Sequence, residues 1–186
     1  MSINFTATHK LTTAIPKYSN NEYKPEIVAV VELDKHNPDD KISLYATAVD
    51  WTQKGAEFAF NIFHETEKPT VFADLCAEHF YALTTQKDDF EHLDYNKTLG
   101  LMMFGESNLD NNEIIWLQGK PGTNKTKRET NREYKNVGKA LIDYVKYEYS
   151  DKPIEVQSAN SAIEFYKKNG FKPLSKNSPC TLIYNV

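Results

Sequence analysis

The chain has 186 residues, enough for one domain, or one domain with a sizeable extension. With 40% apolar and 26% charged residues, no apolar run near membrane-helix length and no basic-then-apolar leader, it reads as a soluble globule with the cytoplasm as expected compartment. A net charge of −4 argues against nucleic acid as a partner, and two cysteines without a Cys-x-x-Cys, beside five histidines at no ligand spacing, argue against a metal centre.

Residues 1–25 are polar, carry Pro16 and Pro25, and predict an arm with little regular structure. Glu26 to Leu33 is a strand by its β-branched content, and His36-Asn37-Pro38-Asp39-Asp40 reads as a turn. Ile42 to Asp50 and Ala56 to His64 extend this into an antiparallel meander, with a helix over 51–64 as the alternative. Val71, Phe72, Leu75, Cys76, His79, Phe80 and Leu83 fit a three-to-four repeat and predict a helix from Pro69 to Leu83. Strands follow at Leu99–Gly105 and Glu113–Gln118, then a long polar loop from Gly119 to Lys135. A helix over 137–149, a short strand over 154–157, a helix over 158–169 and two short strands complete the chain. Cys76 and Cys180 both sit among apolar residues and read as buried free thiols.

The chemistry concentrates past residue 98. Helix 137–149 starts after a strand and loop, so its unpaired N–H groups and positive dipole end suit a phosphate or pyrophosphate. The residues there run Arg132-Glu133-Tyr134-Lys135-Asn136-Val137-Gly138-Lys139-Ala140-Leu141. This resembles the pyrophosphate loop of the GNAT superfamily, R/Q-x-x-G-x-G/A followed by Lys-Ala-Leu. Gly138 takes the last small position, Asn136 replaces the first glycine, and Glu133 stands where Arg or Gln is usual. Asparagine is the next most tolerant residue of positive φ, whereas a carboxylate beside a pyrophosphate is repulsive. A second register, Lys135-x-x-Gly138-x-Ala140, restores a cation. Further on, Ala162-Ile163-Glu164-Phe165-Tyr166-Lys167-Lys168-Asn169-Gly170-Phe171 resembles the same superfamily's A-x-x-F-Y-x-K-x-G-F element. Glu113-Ile114-Ile115-Trp116-Leu117 resembles its central strand.

The resemblance implies an α/β (α+β) fold with a mixed, mostly antiparallel central sheet flanked by helices, here with an N-terminal antiparallel extension. Residues 98–186 would form the acetyl-CoA-binding half, and 1–97 an atypical, β-rich acceptor side that lacks the usual strand leading into two helices. It implies N-acetyl transfer from acetyl-CoA to a primary amine of a small molecule or peptide. Tyr166 would be the acid for the leaving thiolate and Glu113 the general base. Leu117 and Gln118 would meet the pantetheine arm, Lys135, Asn136, Val137, Gly138, Lys139 and Ala140 the pyrophosphate, with Asn160 nearby. Arg128 and Arg132, the only arginines, suit CoA phosphates. A homodimer is compatible with the family, and a GNAT fold that binds without catalysis is the alternative function. Gly119 to Thr126 approaches a G-x-x-x-x-G-K-[ST] phosphate loop, but Asn124 replaces its second glycine and Pro121 removes a donor, so nucleotide binding is a remote reading.

Overall fold

Two asparagines fold the N-terminal segment back on itself. Asn20 and Asn21 take φ of 52° and 64°, the left-handed pair that a two-residue hairpin turn needs. They join β1 (Thr8–Ser19) to β2 (Glu22–Leu33), in one register from Leu11↔Val30 to Ser19↔Glu22, with a one-residue shift between His9 and Leu11. The expected irregular arm is therefore a long hairpin. Pro16 is tolerated because β1 is an edge strand, and it faces Pro25 across the ladder. The structure, a computed structural model, describes residues 7–34, 36–51, 76–107, 111–121 and 132–186.

The strand expected over 42–50 is a helix, α1 (Pro38–Trp51). Asn37 caps it, its Oδ1 accepting the Asp39 N–H at 2.8 Å, with Pro38 in the first helical position. The buried positions Asp40, Leu44, Thr47 and Trp51 have helical spacing, but two are polar, while apolar Ile42, Tyr45 and Val49 face solvent. An apolar count along the sequence therefore misses the face that packs. The helix expected to end at Leu83 is also corrected: β3 (Cys76–Thr84) occupies its described part. Tyr81, Ala82 and Leu83 are all buried, so both faces of β3 are covered and no alternation shows. The strand expected over 56–64 lies outside the described residues. As far as it is described, the first half runs hairpin, helix, strand, so the middle strand of the expected meander is replaced by a helix.

The remaining elements are β4 (Thr98–Ser107), β5 (Asn112–Gly119), α2 (Val137–Glu148), β6 (Ile154–Gln157), α3 (Ile163–Lys168), β7 (Lys172–Ser175) and β8 (Ser178–Tyr184). Among the described residues eight strands form one sheet, ordered β1-β2-β3-β4-β5-β6-β8-β7. Within it β5 and β6 are parallel, and every other neighbouring pair is antiparallel. On one face Val30, Leu83, Met102, Phe104 and Ile114 pack with Val137, Leu141 and Val145 of α2. On the other, Val31, Phe80, Ala82, Leu101 and Met103 pack with Leu44 and Trp51 of α1. Among the described residues no helix is long and apolar enough to cross a membrane.

Candidate active site

The site begins where the parallel pair parts. β5 and β6 match at Asn112↔Ile154, Glu113↔Glu155 and Ile114↔Val156, and there their pairing stops. β5 continues to Gly119 alongside β4, while β6 ends at Gln157. The break coincides with a β-bulge: Phe104 faces Ile114 and Met103 faces Trp116, so Ile115 is an extra residue. The bulge resets the alternation of side chains. Ile114 and Leu117, three apart, therefore both face α2, and Trp116 packs toward α1.

α2 starts beside the open end of β5. Its first turn is seated by two glycines. A Cβ on Gly100 would lie 2.7 Å from Val137 Cγ1, and one on Gly138 would lie 3.0 Å from Phe165 Cζ and 3.5 Å from Leu117 Cδ2. Gly138 thus admits the Phe165 ring of α3 as well as giving backbone access. Asn136, the residue before the helix, has φ 64° and ψ 18° and makes no side-chain cap. This is the left-handed conformation that glycine takes with ease and asparagine tolerates. Val137 and Ala140 bury their side chains in the core, and the Ala140 N–H donates to the Asn136 carbonyl at 2.9 Å, so Ala140 offers no free donor to the opening. The N–H groups of a helix's first turn have no intrahelical partners.

Two of the expected cations are held elsewhere. The Lys139 ammonium pairs with Asp143 at 2.5 Å, one turn along α2. The Lys135 ammonium lies 3.5 Å from the centre of the Tyr23 ring. Arg132 is tied through its backbone, its N–H donating to the Tyr23 hydroxyl at 3.2 Å. Arg128 lies outside the described residues, as does most of the loop before α2. Asn160 is exposed in a short 3-10 turn (Asn160–Ala162), and its Oδ1 accepts the Cys180 thiol at 3.0 Å. Cys180 is half-buried rather than buried as expected.

Tyr166 lies on α3, 6% exposed, with its ring edge-on to Phe165 and Phe171. Burial pushes its phenol up to about 12. Glu113 stands at the other end of β5, roughly 13 Å along the strand from Leu117. Its neighbour Ile114 faces α2, so Glu113 projects to the α1 face, as does Glu155 beside it. Burial and then the Glu155 charge raise the Glu113 carboxyl above its ordinary range. Among the described residues no hydrogen bond or ion pair joins Glu113 to Tyr166. Gly138 meets Leu117 at the open end of β5, with Asn136 and Val137 directly before it; Tyr166 lies in the core between Phe165 and Phe171, and Glu113 lies at the closed end of β5, on the opposite face. Sequence reasoning missed Gly100, which seats α2, and Tyr23, which reaches the loop from the hairpin. The Asn20-Asn21 turn was the available signal for the hairpin.

No family profile and no curated protein sequence matches the chain. A solved structure does: a Desulfovibrio desulfuricans protein assigned to the GNAT family as an acetyltransferase, with TM-score 0.51, 15% identity, and 84% of this chain and 96% of that one covered. The chain has the GNAT fold. At this identity the likeness speaks for the fold alone.

Proposed function

We propose that the protein is an N-acetyltransferase that moves an acetyl group from acetyl-CoA to a primary amine. The observation that carries this is the parting of β5 and β6 after Ile114, with the start of α2 beside the open end. Such an opening suits an extended pantetheine arm along Leu117 and Gln118. The first-turn N–H groups of Asn136, Val137, Gly138 and Lys139 suit the pyrophosphate. Arg128 and Arg132 would supply cations to the phosphates, and Asn160 would border the arm. The poor fit is Glu133, an exposed carboxylate in the loop.

The chemistry needs few groups. The amine nitrogen bonds the thioester carbonyl carbon and loses a proton to Glu113, whose raised pKa suits a base. Strand N–H groups would hold the oxyanion. The C–S bond then breaks, the sulfur leaves as a thiolate, and the products are an acetamide and free CoA thiol. Tyr166 faces that sulfur in this reading. A thiol ionises near ~8.5, so its thiolate is too weak a base to strip a phenol held at about 12. Tyr166 therefore acts as a hydrogen-bond donor that steadies the thiolate, and solvent supplies the net proton. The acceptor would approach from the α1 face, where Glu113 projects.

Acetyl-CoA incubated with a panel of alkylamines, polyamines, aminoglycosides and peptides, read by thiol release, tests the proposal. Acceptor-dependent release that Glu113→Gln slows at neutral pH, with the effect shrinking at low pH where the wild-type carboxyl is protonated, supports it. The Glu133 carboxylate favours a second reading, a GNAT fold that binds without turnover. Binding of acetyl-CoA with no release from any amine would select that one.

A further inference from the structure

The β1–β2 hairpin reaches the loop before α2 with more contacts than packing requires. Lys17 and Tyr134 form an antiparallel bridge. The Tyr18 N–H donates to the Glu133 carbonyl at 2.7 Å, and the Lys135 N–H donates to the Pro16 carbonyl at 2.8 Å. Across the hairpin, the Tyr23 hydroxyl donates to the Arg132 carbonyl at 3.0 Å and accepts the Arg132 N–H at 3.2 Å. The Tyr23 ring lies under the Lys135 ammonium and beside the Tyr18 ring, with centroids 5.1 Å apart. Tyr134 itself is buried in the α2 core. Arg132, Glu133 and Lys135 are thus each fixed by backbone hydrogen bonds to one hairpin. Asn136 follows directly, in its left-handed conformation.

We propose that this hairpin is a brace that holds the phosphate loop in its binding shape before the ligand arrives, with Tyr23 as its positioning residue. The inference rests on the acyl-CoA reading and adds residues that the loop's own sequence does not contain. A loop that must be ordered on binding spends part of its binding energy on that ordering, and a loop already fixed does not. The brace should therefore act on the phosphate end of the ligand and leave the pantetheine end alone. It also accounts for Asn136 in a glycine's place: the strained residue is held from the preceding side by three tied neighbours.

Tyr23→Phe removes the hydroxyl and keeps the ring under Lys135, so the full-length variant is expected to fold. Two readouts are made on wild type and variant. The first is hydrogen exchange of the amides from Arg132 to Gly138 without ligand. The second is the Kd for CoA against that for pantetheine, which lacks the phosphates. The brace predicts exchange faster by about five- to thirtyfold at Arg132 and its neighbours, and CoA binding weaker by a similar factor, with pantetheine unchanged. Unchanged exchange would overturn the brace. Faster exchange with CoA affinity within twofold, or equal weakening of CoA and pantetheine, would overturn its role in positioning the phosphates. If wild-type protein binds no CoA, the acyl-transfer reading and the phosphate role fall together, and exchange alone still decides whether the hairpin braces the loop.

Discussion

Tyr166 is wedged between two phenylalanine rings, so replacing it by Phe changes one oxygen and little packing. If its hydroxyl steadies the departing thiolate, Tyr166→Phe should lower kcat by about 10²–10³-fold, as for loss of one preorganised donor. The Kd for acetyl-CoA should stay within about twofold, because the donor is needed only as charge develops on sulfur. Equal turnover in stopped-flow thiol release would make Tyr166 a core aromatic and nothing more. A second residue, remote from this chemistry, sets a pH dependence. His79 on β3 holds Glu32 Oε1 at 2.6 Å through Nδ1 and Glu106 Oε2 at 3.3 Å through Nε2. Burial alone would lower its pKa, but the two carboxylates outweigh it and hold His79 above its ordinary 6.5. A folded pKa above the unfolded one gives stability that is full below 6.5 and is lost as pH rises through the raised value. Wild-type Tm should therefore fall from about pH 6.5 upward, and His79→Gln should remove that slope. Asp40, pushed up to about 6 by burial, also costs stability as pH rises, but over the lower window from 3.8 to about 6, so the two windows separate.

The elements around the site are set by close approach. Gly100 of β4 lets the first turn of α2 sit against the sheet, and Ile115 of β5 turns Leu117 toward it. Gly100→Ala would put a methyl 2.7 Å from Val137 Cγ1 and 3.1 Å from Leu141 Cδ1. The overpacking should cost about 1–3 kcal/mol by urea denaturation. It should also weaken CoA binding, because the displaced element is the one that would hold the pyrophosphate. Stability and affinity both equal to wild type would mean that α2 is not seated by this contact. The same elements show what the sequence discloses. α2 was legible because Val137, Ala140, Leu141, Tyr144 and Val145 are apolar and all face one core. Gly170, at φ 86°, stops α3 where a left-handed glycine was expected. α1 was not legible, because Asp40 and Thr47 lie on its buried face and Ile42, Tyr45 and Val49 on its exposed one. β3 was not, because both of its faces are covered and Phe80, Leu83 and their neighbours mimic a helical repeat. The splay of β5 from β6 is a property of two strands far apart in sequence, and no local pattern announces it. Asn136 was legible in kind, since its tolerance of positive φ was the reason to accept it in a glycine's place.

At the scale of the molecule, one eight-stranded sheet separates two sides. α2 and α3 cover the side where the opening meets the loop before α2, and α1 packs on the side to which Glu113 projects. A donor entering from the first side and an amine from the second would meet at the gap between β5 and β6, which is the economy of the proposed reaction. Everything in that account depends on the gap taking CoA. Isothermal titration of the full-length protein with acetyl-CoA, beside ATP with magnesium as the control, measures this directly. Saturable one-to-one binding of acetyl-CoA that free CoA competes for, with no heat from the nucleotide, is the predicted result. No binding of acetyl-CoA at millimolar concentration, or equal binding of ATP, would contradict it.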